Sequence, residues 1–196
     1  MYYVIDYLTN PSVPDPDEGP FLEIHEEDIE VPGADAWQTG ARFEEAIATP
    51  IRIEATQHND HTGAPHDFFD GAISFMSPRL LKVLQDAGVD NFDLYPAIIT
   101  YRKSKEKYEV FAFNLLGLVS AADVSASNLR SHDGDFKMDT SVRGFTVDPD
   151  KAKNLDLFRL AENCMTVVVH ERIRDAIKAA GINTFAFVEP TDWFQL

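Results

Sequence analysis

Three histidines and two carboxylates crowd one ten-residue stretch of the chain, His58-Asn59-Asp60-His61 followed by His66-Asp67. Imidazole nitrogens with a carboxylate as fourth ligand form a donor set suited to zinc. The spacing of His58, His61 and His66 is not that of a helical H-E-x-x-H site. Gly63 and Pro65 interrupt the segment, so a metal would have to order a loop. A polar surface loop accounts for the same residues, which makes the three histidines weak metal candidates.

Other chemistry-bearing residues are more isolated. Asp133-Gly134-Asp135 resembles a fragment of a calcium loop, but the remaining ligands at EF-hand spacing are absent, which leaves a turn. The chain contains no G-x-S-x-G elbow, no P-loop and no G-x-G-x-x-G fingerprint, so no cofactor is expected. Cys164 precedes a hydrophobic run and reads as a buried, inert thiol. Arg159 is embedded in Leu-Phe-Arg-Leu and is expected to pair with a carboxylate at the rim of the core. Trp37 and Trp193 fit either core packing or an exposed binding anchor. No catalytic constellation emerges, and the chain is not expected to be an enzyme.

Charge is the most directional feature. The net charge is −16, and residues 1–70 carry sixteen acidic against two basic residues, Arg42 and Arg52. Residues 71–196 are close to neutral, with seventeen acids and fifteen bases. The chain therefore divides by charge into an acidic N-terminal lobe, 1–70, and a core, 71–196, within one compact domain overall. Such an asymmetric field fits either a positively charged partner or an ordinary solvated acidic face. Direct nucleic-acid binding would need clustered Lys and Arg and is not expected. The residues best placed to meet a basic partner are Asp15, Asp17, Glu18, Glu26, Glu27, Asp28, Glu30 and Asp35, with Trp37 as an aromatic contact.

The rest of the composition describes the scaffold. An apolar fraction of 44% with 14 Phe is enough for a sizeable core in 196 residues. One cysteine excludes an intrachain disulfide and suits a reducing compartment. The start, MYYVIDYLTNP, lacks a basic n-region and a long apolar run, so neither a signal peptide nor a membrane span is expected. A cytoplasmic location follows as the expectation.

A helix–Gly–strand unit occurs twice and organises the fold. In the first copy, Ser77 suits the N-cap and Pro78 the first helical position. Leu80, Leu84 and Ala87 make one apolar stripe, Gly88 ends the helix, and the strand runs to residue 99. A shift of 93 residues superposes the second copy, 170–188, placing Arg172 on Arg79, Ile177 on Leu84 and Gly181 on Gly88. Either convergence on one amphipathic pattern or internal duplication produces that match. Strands are expected at 2–7, 21–24, 51–55, 94–101, 108–116, 145–147, 165–169 and 185–188, and 157–160 is a short apolar run. A weak helical pattern covers 33–48, and Leu118-Val119 with Val124 are expected to extend the hairpin sheet. The fold class is α+β, with mostly antiparallel sheets packed by a few helices.

Several segments, taken in order, resemble a known family. They are Gly63-Ala64-Pro65-His66-Asp67-Phe68, Ser77-Pro78-Arg79-Leu80-Leu81 through Gly88, Tyr95-Pro96, Asn114, Asp123-Val124-Ser125, Leu157-Phe158-Arg159-Leu160, and the terminal helix into Gly181 and Phe187. This order is similar to the immunity proteins of bacterial polymorphic toxin systems, in the large group first described from a myxobacterial protein. It spans about residues 57–190. The resemblance implies a non-enzymatic protein that binds and neutralises a cognate toxin domain in the producing cell, with no catalytic residues and no cofactor. A basic toxin would suit the acidic lobe. The competing expectation is a metal-binding enzyme or regulator built on the His58/His61/His66 loop.

Overall fold

Alternating burial explains the strands. In β3 (Ile51–Gln57), Ile51, Ile53 and Ala55 are buried while Arg52 is exposed, the period-two pattern of a strand covered on one face. The long hairpin β6 (Phe92–Tyr101) and β7 (Lys107–Leu115) buries Ala97, Ile99 and Tyr101 against Val110 and Ala112. The structure, a computed structural model, describes residues 1–9, 11, 22–25, 29, 31, 37–57, 63–130 and 141–195.

Three sheets are present among these residues. Strands β2 (Leu22–Ile24), β3, β6, β7, β5 (Ser74–Met76) and β4 (Phe68–Asp70) form the six-stranded sheet, in the order β2-β3-β6-β7-β5-β4. A five-stranded sheet runs β13-β1-β12-β11-β8, from Ala186–Val188, Tyr2–Asp6, Val167–His170, Leu157–Leu160 and Leu118–Val119. The smallest sheet pairs β9 (Leu129–Arg130) with β10 (Ser141–Arg143) and β10 with β14 (Phe194–Gln195). Among the described residues, β3 with β6 and β8 with β11 are parallel and the other strand pairs are antiparallel. Two helices, α1 (Pro78–Asp86) and α2 (Glu171–Ala179), pack with both large sheets around one central apolar cluster. The α+β class with few helices is what the fold shows.

The repeated unit extends further than the helices. The shift of 93 that carries Gly88 to Gly181 also carries β5, α1 and β6 onto β12, α2 and β13. Pairing registers repeat as well. Phe69 opposes Phe75 as Phe158 opposes Val168, Phe75 opposes Ala112 as Val168 opposes Val4, and Tyr95 opposes Ala112 as Val188 opposes Val4. The four-strand orders β4-β5-β7-β6 and β11-β12-β1-β13 are therefore equivalent. In the second half, however, the partner of the hairpin strand comes from the start of the chain instead of following β13. A shared amphipathic pattern alone would not reproduce three strand registers.

The two halves cap each other. Arg79 donates to the Gly181 carbonyl at 2.8 Å, just past α2, and Arg172 donates to the Ala87 carbonyl at 2.7 Å, at the end of α1. Cations there satisfy orphan carbonyls and meet the negative end of the helix dipole. The N-termini are matched too, because the Ser77 N–H donates to the Asp67 carbonyl and the His170 N–H to the Asp156 carbonyl. The Ser77 hydroxyl accepts from the Leu80 N–H at 3.0 Å and donates to the Asp67 carboxylate. Ser77→Ala removes both bonds and is expected to cost about 1–2 kcal/mol, read from the urea midpoint. A loss within error of zero would show that the cap contributes nothing.

Three expectations differ from the structure, and one element is additional. Residues 39–50 carry no helix: Trp37 and Gln38 are helical, Gly40 then adopts φ +70° and Pro50 follows, while residues 33–36 lie outside the described residues. The strand expected at 145–147 is replaced by a single bridge, Val147 with Ala122, and the strand lies earlier, at Ser141–Arg143. Leu118 and Val119 join the five-stranded sheet, parallel to β11, and Val124 begins a 3-10 turn. The β4–β5 hairpin was not foreseen, although Asp70-Gly71 between apolar residues is a turn signal.

Candidate interaction surface

The strongest polar constellation is sealed inside the protein. Arg159 on β11 and Asp70 on β4 occupy equivalent positions in the two halves and meet in a bidentate pair, at 2.8 and 2.9 Å. Both are essentially inaccessible, at 0% and 1% exposure. The Ser74 hydroxyl also donates to Asp70, and Arg159 donates to the Cys164 carbonyl at 2.7 Å. Burial acts to lower the Arg159 pKa, but the adjacent carboxylate outweighs it, so the guanidinium is held above its ordinary range and stays charged. Arg159 therefore pairs at the junction of the two halves, not at the rim of the core. No substrate reaches it. Cys164 is buried, as its hydrophobic surroundings suggest.

Within the described part of the acidic stretch, residues 37–50 form one connected surface segment. Trp37 is fully buried and meets Phe43 edge-to-face at 4.8 Å and Tyr95 at 5.8 Å. Gly40 lies so close to Gly117 that a Cβ would sit 2.7 Å from its carbonyl carbon, and the Gly117 N–H donates to the Gly40 carbonyl at 2.7 Å. Only glycine satisfies both that approach and the positive φ. The Asn114 amide then donates to the Ala41 carbonyl at 2.6 Å, and Arg42 pairs with Asp93 at 2.7 Å. Asn114 and Arg42 thus position the exposed Glu44 and Glu45. Beside them lies an open groove of about 740 Å³, lined by Ile29, Val31, Thr39, Phe43 and Ile47, by the two glutamates, and by Arg42, whose charge is met by Asp93. An acidic rim around a partly apolar floor can receive a basic protein surface.

The acids singled out in the sequence, Asp15, Asp17, Glu18, Glu26, Glu27, Asp28, Glu30 and Asp35, lie outside the described residues. Trp37 is a correction. Its ring is enclosed by the six-stranded sheet and offers no contact surface, because the strands needed an aromatic plug at that point. His58 and His61 also lie outside the described residues, and His66 is half-buried at the edge of a small aromatic cavity. Among the described residues, no group of three His, Cys, Asp or Glu could hold a metal ion. No helix among them is long and apolar enough to cross a membrane. Glu44, Glu45 and the glycine contact that places them were missed by sequence reasoning. Their only signal was an acidic pair within a weak helical pattern.

Residues 11–192 match the family model described as the immunity protein family Imm11. The match takes in much of the acidic stretch, which the segment resemblance beginning at residue 57 did not reach. A search among curated proteins finds no match.

Proposed function

Because the chain belongs to the Imm11 immunity protein family, we propose that it binds a bacterial toxin domain and blocks it in the cytoplasm of the cell that makes both. The family match over residues 11–192 carries this reading. The protein acts by occupying a surface and not by catalysis. Its partner is a basic toxin domain of a polymorphic toxin system, drawn to the excess of acids in residues 1–70. Contacts are assigned to Asp15, Asp17, Glu18, Glu26, Glu27, Asp28, Glu30 and Asp35, together with Glu44 and Glu45 at the groove. Nucleic acid and membrane are not partners, since the acidic surface repels phosphate.

The test uses the toxin-like domain encoded beside this chain. Co-expression is expected to restore growth that the toxin domain alone abolishes, and the two proteins are expected to co-purify as a stoichiometric complex. Continued toxicity with no complex, despite soluble expression of both, would exclude the pairing.

A further inference from the structure

A second concave feature lies where β1, β2, β3 and β6 approach the β4–β5 hairpin. It is a cavity of about 50 Å³, lined by Tyr7, Phe69, Phe75 and Tyr101 with Gln57 and His66 among the polar groups. Phe69 stacks on Phe75 at 4.8 Å with an interplanar angle of 9°, and Tyr7 meets Phe69 edge-on at 5.2 Å. Phe75 and Tyr101 are buried, whereas Leu8 is 52% exposed and Ala64 is exposed, so the cavity opens on their side. Among the described residues, no Lys or Arg lines it. The cation acting on Tyr7, Arg159, is already neutralised by its bidentate bond to Asp70.

Two properties of this cavity select a ligand class. Aromatic rings present negative faces and attract cations, most strongly where water is excluded. The Tyr7 phenol is pushed well above its ordinary range, first by burial and then by Asp70 and Asp6, with Arg159 acting in the opposite sense, so this end of the cavity is shielded from water. At about 50 Å³ the cavity takes the tip of one side chain and not a larger ligand. We propose that this aromatic pocket receives one Arg or Lys side chain of the toxin partner, as an anchor of the complex. The proposal rests on the toxin-binding function above and names how part of that binding is made.

The first arm needs no toxin. Butylguanidinium, titrated into the full chain, is expected to move the aromatic NMR signals of Tyr7, Phe69 and Phe75 and to bind at least about tenfold more tightly than neutral butylurea. Equal binding of the two, or no movement of these signals, overturns the proposal. Ala64→Phe, at an exposed position by the mouth, is expected to block the titration while keeping the amide spectrum and Tm of the parent. The second arm uses the toxin domain, whose complex with Ala64→Phe is expected to be at least about tenfold weaker. Unchanged affinity overturns the pocket and leaves toxin binding intact. If the parent protein forms no complex at all, the toxin reading fails, and butylguanidinium alone decides the pocket.

Discussion

Arg159→Leu is expected to destabilise the protein by about 3–5 kcal/mol, because it leaves the Asp70 carboxylate buried without its cation. For a chain of this size that corresponds to a fall in Tm of roughly 6–20 °C. The loss exceeds that of an exposed pair, which is worth about 0–1 kcal/mol, because neither partner here can recover water. Asp70→Asn is expected to cost a comparable amount, since it leaves the buried guanidinium without a counter-charge and replaces one of its two carboxylate acceptors by an NH2 donor, while Nε already has no partner among the described residues. Replacing both members by leucine is expected to recover much of the loss, as two apolar side chains remove the desolvation penalty together. Calorimetry or urea unfolding of the three variants decides the matter. A single-variant cost below about 1 kcal/mol would mean that the pair does not hold the two halves.

Neutralising the acidic stretch should act on rate and not on folding. Changing Asp15, Asp17, Glu18, Glu26, Glu27, Asp28, Glu30 and Asp35 to their amides removes eight charges of one sign. Association with the toxin domain at low salt is then expected to slow by about 10–10³-fold, with dissociation changed much less. Raising the ionic strength to 1 M contracts the Debye length to about 3 Å, so the difference between parent and variant is expected to shrink. Stopped-flow mixing at several salt concentrations separates these terms. An association rate insensitive to both the substitutions and salt would rule out steering by this stretch. Unfolding stability is expected to stay level or rise slightly, since like charges repel in the folded state.

Much of the scaffold was legible because its signals are local. Ser77-Pro78 before an apolar stripe and Gly88 after it specify a helix within a dozen residues, and the cap bonds and positive φ are found there. The alternation in β3 and in the β6–β7 hairpin is likewise a property of neighbouring residues. The segment 39–50 was not legible, because its conformation depends on Gly117, some seventy residues away. Trp37 was ambiguous for a similar reason: an aromatic side chain fits a core or an interface, and only the sheet above it decides which.

By itself the sequence determined the charge asymmetry, the two helix–Gly–strand units and the absence of recognisable catalytic motifs, since each is a count or a spacing along the chain. Tertiary structure decided what those units build. It joined β1 to β12 and β13, completing the second half with a strand taken from the other end of the chain. It also brought Asp70 to Arg159 across 89 residues and gathered Tyr7, Phe69 and Tyr101 around one cavity. Such contacts arise because two sheets with one apolar face each must bury those faces together, and local sequence does not encode which distant residues then meet.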